Sequence, residues 1–233
     1  MGSKCKKPYL LLDGEPILFH TLRRLSACRG CRQLVLVLHP DEANDLPCEW
    51  ADRLRTEFGV SDIAAGGGTR QESAWKGISL ADEGLDVVMT HDGVRPFVQT
   101  EVVEEVARQA AEHGGAVAAV PATATVKEVS PDGCVKRTHP REDIWLAQTP
   151  QGFRRELLID AYRQAFDAGF TGTDDAQILE WAGHQVHVVR DSEENIKITT
   201  PHDIQVGESI LKRQRTDGGT GLSCRVPRAL DKR

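Results

Sequence analysis

The chain has 233 residues and a formal net charge of −6 at pH 7, a length that suits one large α/β domain or two small ones. The negative charge leaves no overall basic surface for nucleic acid, and no apolar run is long enough to span a bilayer. The N-terminal residues make a poor signal peptide, and the scattered cysteines do not form the pattern of a disulfide framework. We therefore expect a cytoplasmic protein that binds neither nucleic acid nor a membrane.

Helix-like and strand-like segments alternate along the chain. The spacing of apolar residues predicts helices over residues 15–27, 41–57 with an interruption at Pro47, 70–80, 100–112, 157–168, 173–182 and 201–212. Apolar runs predict strands over residues 33–38, 85–90, 116–120 and 186–189. Nearly continuous apolar strands are typical of a mostly parallel sheet, so the predicted fold class is α/β with helices covering the sheet. Thr100 is a candidate N-cap of one of these helices.

Two later stretches of the chain do not follow this alternation of helix and strand patterns. Residues 125–129 and 134–138 alternate in polarity around a Pro-Asp-Gly turn, which predicts a β-hairpin. One face of the hairpin is polar, and we expect the hairpin to project from the body of the protein. After Arg213 the periodicity disappears, and residues 213–233 are predicted to form a solvated, disordered tail.

The segment His91–Phe97 (HDGVRPF) follows the apolar strand at residues 85–90. It places Asp92 and Arg95 just past the carboxyl end of a strand, which is where open α/β sheets bind ligands. A carboxylate at this edge is a hard oxygen ligand for a metal ion, and a guanidinium is suited to a phosphate. A strand-end turn with a local ion pair is the alternative interpretation of the same residues.

Five segments that lie in loops or at strand ends resemble those of the sugar-phosphate cytidylyltransferases. They are Lys6–Tyr9, Gly66–Ser73, His91–Phe97, Gln148–Phe153 and Asn195–Pro201. Their order and spacing are most similar to the 2-C-methyl-D-erythritol 4-phosphate cytidylyltransferase family, from about Lys4 to Lys212. The resemblance implies one Rossmann-like domain of the nucleotide-diphospho-sugar transferase type over residues 1–212. It also implies that the hairpin is an arm, at about residues 123–143, that swaps across a homodimer.

The reaction that the resemblance implies joins CMP from CTP to a sugar or polyol phosphate, releases pyrophosphate and requires Mg²⁺. Two phosphates that react repel each other, so positive charge and alignment around the α-phosphorus lower the barrier. The family uses two lysines for this purpose, and the matching residues are Lys7 and Lys197. A solvated lysine side chain is the simpler interpretation of each of them.

The resemblance also implies a nucleotide subsite. Gly67 and Gly68 match the loop whose backbone reads the cytosine edge, since glycine permits close approach and positive φ. Ser73 is expected to bond to the base or the ribose. Asp92 is expected to bind both Mg²⁺ and the ribose. A flexible hinge is the alternative explanation of the glycines.

The acceptor phosphate is expected to meet five residues, with two of them supplied by the arm of the second subunit. The resemblance assigns Thr125 and Arg141 to that arm and Arg95, Thr149 and Thr173 to the body. Thr173 is also a candidate helix N-cap, and Thr149, which precedes a proline, is also explained as a rigid turn residue.

The family begins with a strand and a glycine-rich loop that cradles the triphosphate, and Met1–Lys4 matches only the last piece of that loop. Two explanations compete: the start codon is assigned too late, which we favour, or the chain is a real fragment. If the chain as given is the whole molecule, we expect exposed strand edges, weak folding and little catalysis. Two alternative functions stay open. One is a ribitol 5-phosphate cytidylyltransferase, and the other is a truncated, non-catalytic nucleotide-binding protein.

Overall fold

The computed structural model describes residues 9–217, so the predicted catalytic residue Lys7 and the tail beyond residue 217 lie outside the described residues. The helices are α1 (Ile17–Ser26), α2 (Pro40–Asn44), α3 (Cys48–Thr56), α4 (Arg70–Ile78), α5 (Thr100–His113), α6 (Arg155–Asp167), α7 (Asp175–Trp181) and α8 (Pro201–Asp217). The strands are β1 (Leu11–Leu12), β2 (Glu15–Pro16), β3 (Leu34–Leu38), β4 (Val60–Ala65), β5 (Val87–Thr90), β6 (Gly115–Pro121), β7 (Val126–Val129), β8 (Val135–His139), β9 (Trp145–Arg154) and β10 (His187–Arg190).

The predicted α/β class is confirmed, and the main sheet is mixed. Its strand order is β10-β6-β9-β5, with β10 parallel to β6 and with β9 antiparallel to both of its neighbours. β3 and β4 form a separate parallel pair. The sequence analysis did not predict β9, because the strand contains Pro150 and Gly152 and both residue types are unusual inside a strand. β6 is buried along nearly its whole length, as expected for a strand covered on both faces.

Helices cover both faces of the main sheet. On one face α5 contributes Val102, Val106 and Ala110 to a cluster with residues of β6 and β10. On the other face α6 and α7 bury apolar residues against Phe153 of β9, and α4 adds Ile78 to the same cluster. Burial of these side chains is the main favourable term holding helices and sheet together.

The pair β3–β4 carries its own apolar cluster with α1 and α3. Leu18, Leu22, Leu36, Leu54 and Phe58 are all buried in it. α3 begins directly after Pro47, at the predicted interruption between the two helical segments.

A cavity of about 610 Å³ lies between this layer and the main sheet. β3 and β5 both line it, and neither strand pairs with another described strand on that side. Residues of β5 are only half-buried, in contrast to β6. The carboxyl end of β5 opens the cavity towards polar side chains, which form the site described below.

β7 and β8 form the predicted hairpin, with Val126 opposite His139. Most of its side chains are exposed, including Val129 at 51% and Val135 at 58%. Gly133 takes a positive φ of 88° in the turn, a conformation that glycine adopts without steric cost.

Three local predictions are wrong. The residue that caps α5 is Gln99, and Thr100 is the first helical residue. The N-cap of α7 is Asp174, whose carboxylate accepts the Gln177 amide, so Thr173 is not the cap. α8 continues to Asp217, past the predicted start of the tail at residue 213. Within residues 9–217 we find no helix with the length and apolar character that crossing a bilayer requires.

Candidate active site

The turn after β5 brings an acid and two cations together. Oδ2 of Asp92 accepts the Nζ of Lys197 at 3.0 Å and the Nε of Arg95 at 3.2 Å. The two partners come from segments about a hundred residues apart, and they meet at the end of β5 where the sequence predicts a ligand site. Lys197 lies in an irregular segment and not in a strand.

The charges in this cluster keep Asp92 ionised. Burial by itself raises the pKa of Asp92, but the positive charges of Lys197 and Arg95 outweigh burial and hold the pKa below its ordinary value. The Lys197 side chain is 47% exposed, whereas that of Arg95 is only 12% exposed. Lys197 therefore presents its ammonium to solvent while it is anchored on Asp92, and Arg95 has little surface left for a ligand.

Arg95 and Asn195 join the turn to the segment that carries Lys197. Arg95 Nη1 donates to the Asn195 carbonyl at 2.7 Å, and the Ile198 amide donates to the Val94 carbonyl at 2.9 Å. The Asn195 side chain is fully buried and donates to the carbonyl of Thr149 and to Asp191 Oδ2. These contacts fix the distance between Asp92 and Lys197.

The hydroxyl of Thr149 is already used by the turn. It accepts the Asp92 amide at 3.1 Å and lies 3.0 Å from His91 Nδ1. His91 Nε2 faces the Arg95 carbonyl, which only accepts, so Nε2 carries the ring proton. Burial lowers the pKa of His91 to about 4, so at neutral pH Nδ1 is unprotonated and accepts the Thr149 hydroxyl. Thr149 thus has no free proton to donate to a phosphate in this arrangement.

The cavity between β3 and β5 has a polar end at which several predicted site residues meet. Asp92, Thr149 and Lys197 line it together with Arg70 and Ser73. Lys197 supplies an ammonium to this lining, whereas the guanidinium of Arg70 is held by both carboxylate oxygens of Asp175. Of the aspartates that line this cavity among the described residues, Asp175 is fully buried, whereas the side chain of Asp92 is 23% exposed.

The glycine loop before α4 is shaped by close packing and not by unusual φ angles. A Cβ on Gly67 would lie 2.3 Å from Glu72 Cβ, so only glycine fits there, whereas a Cβ on Gly68 would be 3.3 Å from the end of the flexible Glu72 side chain. Neither residue takes a positive φ, so the freedom of glycine to adopt positive φ does not explain this loop. Thr69 and Glu72 form a capping box that starts α4.

The loop amides predicted to read the base have partners within the chain. Gly67 N–H donates to Ser73 Oγ at 3.0 Å, and Gly68 N–H donates to Glu72 Oε2 at 2.7 Å. Gly67 and Gly68 line a second cleft, of about 540 Å³, together with Trp75. Ser73 lines the first cavity and bonds to Gly67, so it links the two spaces. A base that binds to these amides has to displace Ser73 or Glu72.

Three predicted acceptor residues do not join this group. Thr125 and Arg141 are exposed on the hairpin, and Arg141 donates to the Thr123 carbonyl. Thr173 is exposed, and its amide and hydroxyl both donate to Gln177 Oε1. None of the three lines the cavity that Asp92 and Lys197 share.

Sequence analysis assigned no role to several residues that build the site. Arg70, His91 and Asn195 lie inside the segments that it singled out, and Asp175 follows the predicted acceptor residue Thr173 by two positions. Each has a hydrogen bond that fixes a neighbouring element. In the sequence, the signal that could have pointed to these residues is that they are polar and lie close to a predicted site residue. The partners of these residues are distant in sequence, so their roles became visible only in the fold.

No cluster of three or more metal-binding side chains (His, Cys, Asp or Glu) occurs in the described part of the chain. Asp92 nevertheless suits a magnesium ion bound together with a triphosphate. Its Oδ2 holds both cations, and its Oδ1 has no hydrogen-bond partner among residues 9–217. Mg²⁺ is commonly held by one or two carboxylates plus substrate phosphates.

Comparison with known proteins gives a consistent result. The family model described as "IspD: 2-C-methyl-D-erythritol 4-phosphate cytidylyltransferase" matches residues 1–213. The enzyme of that name from Geotalea uraniireducens is 44% identical, over 91% of this chain and 91% of its own length. The one from Pelotomaculum thermopropionicum is 39% identical, over 92% of this chain and 90% of its own length.

A solved structure agrees with these matches. The 4-diphosphocytidyl-2C-methyl-D-erythritol synthase from Anaerococcus prevotii superimposes with a TM-score of 0.81 at 29% identity and covers 91% of this chain and 92% of its own. The predicted family resemblance is therefore confirmed by sequence and by fold. The chain belongs to the 2-C-methyl-D-erythritol 4-phosphate cytidylyltransferase family of nucleotidyltransferases.

Proposed function

We propose that the protein transfers CMP from CTP to 2-C-methyl-D-erythritol 4-phosphate, giving the CDP-linked product and pyrophosphate for isoprenoid precursor synthesis. The observation that carries this proposal is the contact of Lys197 with Asp92 at 3.0 Å, at the polar end of a cavity beside the end of β5. The names of the relatives supply the identity of the acceptor.

In this reaction an oxygen of the acceptor phosphate attacks the α-phosphorus of CTP. A new P–O bond forms, the bond to the β-phosphate breaks, and pyrophosphate leaves with the electron pair. Charge builds up on the oxygens around the α-phosphorus, so a fixed cation lowers the barrier. Lys197 has three N–H donors and only one contact within the described residues, which leaves its charge available for the α-phosphate. Lys7 stays a second candidate for the same role.

We further propose that Asp92 holds Mg²⁺ together with oxygens of the triphosphate. When bound, the ion neutralises phosphate charge and helps to orient the leaving group. The depressed pKa of Asp92 supports this role because a ligand carboxylate must be ionised near neutral pH. Lys197 and Arg95 hold the carboxylate in place from one oxygen and leave the other oxygen for the metal.

The cleft at the glycine loop is proposed as the cytosine subsite, with main-chain groups of Gly67 and Gly68 reading the base edge. The support is that Gly67 and Gly68 both line this cleft, although the glycine at position 67 is already required by its packing against Glu72. Ser73 bonds to the Gly67 amide, so we propose that Ser73 rearranges and bonds to the base or ribose when CTP binds.

We propose that the acceptor subsite is completed by a second copy of the chain. Thr125 and Arg141 lie on an exposed hairpin and do not reach the cavity of their own chain. Arg95, Thr149 and Thr173 are the remaining candidates for the acceptor phosphate, although Arg95 and Thr149 also have structural contacts. Because CTP is an intracellular nucleotide, we also propose that the enzyme works in the cytoplasm.

The test is a panel of acceptor phosphates incubated with the purified protein, CTP and Mg²⁺, with pyrophosphate release as the readout. We expect turnover with 2-C-methyl-D-erythritol 4-phosphate and little with ribitol 5-phosphate. Turnover only with ribitol 5-phosphate would reverse the choice of acceptor. Binding of CTP without turnover of any acceptor would favour a non-catalytic nucleotide-binding protein.

A further inference from the structure

The carboxylate of Asp175 is the most completely satisfied polar group near the site. It is 0% exposed, and it accepts four hydrogen bonds. Arg70 donates to both oxygens at 3.0 and 2.9 Å, the hydroxyl of Tyr162 donates at 2.5 Å, and that of Thr90 donates at 2.6 Å. A buried charge is tolerated only when it is paired and hydrogen-bonded in this way.

Two of the donors, and Asp175 itself, belong to elements that carry proposed substrate-binding segments. Arg70 is the first residue of α4 and directly follows the glycine loop. Thr90 is the last residue of β5 and lies two positions before Asp92. Asp175 begins α7 and follows Thr173 by two positions. Tyr162 differs from the others because it lies in the middle of α6, a helix that carries no predicted site residue.

We propose that the Arg70–Asp175 pair is a positioning element that sets the nucleotide loop in register with the Asp92 turn and the Thr173 segment. This inference rests on the proposed function, and it adds residues that act through the substrate-binding segments and not on the substrate itself. The bidentate geometry fixes both distance and orientation, which a single hydrogen bond does not. Burial and the nearby negative charge of Asp175 raise the pKa of Tyr162, which keeps its hydroxyl protonated as a donor.

Arg70→Met tests the pair directly by removing its cation. Arg70→Met leaves the buried Asp175 carboxylate without its cation, so both thermal stability and the loop position should suffer. We expect the Kd for CTP, measured by titration calorimetry well below the unfolding midpoint, to rise roughly tenfold, since small misplacements of binding groups have large effects.

The double variant Arg70→Met/Asp175→Asn is the decisive comparison. It removes the unpaired buried charge, so thermal stability should recover relative to Arg70→Met alone. The link between the loop and α7 is still absent, so the Kd for CTP should stay raised. If the Kd recovers together with the stability, the pair has only a structural role and the inference is overturned.

Two control variants complete the design. Tyr162→Phe removes one donor to Asp175 without touching a substrate-binding segment, so it should lower the melting temperature and leave the Kd for CTP within about twofold. Arg108→Met breaks an exposed pair with Glu105 on α5 and should change neither quantity. Failure of the unaltered protein to bind CTP overturns the proposed function and this inference together. Normal binding with an unchanged Kd in Arg70→Met overturns the inference alone.

Discussion

The predicted site has two parts that differ in how the structure holds them. One is the Asp92–Lys197 corner, which consists of Asp92, Arg95, Thr149, Asn195 and Lys197, and the other is the β7–β8 hairpin with the residues beside it. At the corner, segments from β5, β9 and the loop before α8 are joined by buried and partly buried hydrogen bonds. Beside the hairpin strands, Thr125 and Arg141 are exposed, and the guanidinium of Arg141 donates to the nearby Thr123 carbonyl.

The difference indicates that a single chain holds the proposed nucleotide subsite together but not the proposed acceptor subsite. The cations and the acid that are proposed to meet the nucleotide phosphates are held by contacts within one chain. The residues expected to meet the acceptor lie on an extension whose surroundings a single chain does not supply. Fixing them requires a partner surface, so we expect acceptor binding to depend on dimer formation and nucleotide binding to be independent of it.

The largest expected effect comes from Lys197→Ala. Its ammonium is proposed to stabilise charge that develops only in the transition state, so kcat should fall by about two or more decades. Steady-state pyrophosphate release at saturating CTP measures this, with Lys212→Ala on the exposed side of α8 as the matched lysine control. A change confined to KM at normal kcat would contradict the role.

Arg141→Ala tests the proposed role of the hairpin arm in binding the acceptor. We expect the KM for the acceptor to rise by about tenfold, since one phosphate contact is lost, while the Kd for CTP stays unchanged. Steady-state kinetics with the acceptor varied and a separate CTP titration measure the two quantities. Weaker CTP binding in this variant would show that the arm assignment is wrong.

A mixture of the two variants asks whether the arm serves the partner's site. In a mixed dimer of Lys197→Ala and Arg141→Ala subunits, one site combines an intact Lys197 with an intact arm from the other subunit. With the acceptor well below its KM, where Arg141→Ala subunits are slow, random assortment predicts recovery of about a quarter of the normal activity. If the mixture is no more active than its components, each arm acts on its own chain or not at all.

Thr149→Val distinguishes the two interpretations of that residue. Loss of the hydroxyl leaves the Asp92 amide and His91 Nδ1 without partners, which should lower the free energy of unfolding by about 1–3 kcal/mol. Urea unfolding measures this loss. If stability is unchanged and only the KM for the acceptor rises, Thr149 contacts the phosphate directly, as the resemblance implies.

Local sequence signals were sufficient for the features that depend on a few neighbouring residues. The Pro-Asp-Gly turn predicted the hairpin, which is confirmed. The acid after an apolar strand predicted a ligand site at Asp92, which stays a prediction. β9 could not be recognised in this way, because its proline, glycine and buried glutamines have no strand-like alternation and its pairing is set by β5 and β6. The same limit applies to Asp175, whose role depends on Arg70, a residue 105 positions away.

The smallest expected effect is the pH dependence that His91 adds to stability. Burial lowers its pKa to about 4 in the folded protein, whereas an unfolded histidine titrates near 6.5. Between these values the unfolded chain binds a proton that the folded chain does not, so this contribution is complete above pH 6.5 and is lost as pH falls towards 4. At pH 5.5 the loss should be about 1 kcal/mol relative to pH 7.5.

His91→Asn removes this titration, and comparing urea unfolding of both proteins at pH 7.5 and 5.5 isolates it, because the carboxylates contribute equally to each. A protonated Nδ1 would donate to Thr149 and force its hydroxyl proton away from the ring, so the bond network that holds Asp92 depends on a neutral His91. An identical pH dependence in the two proteins would mean that His91 titrates freely and that the Asp92 corner is less rigid than the hairpin comparison assumes.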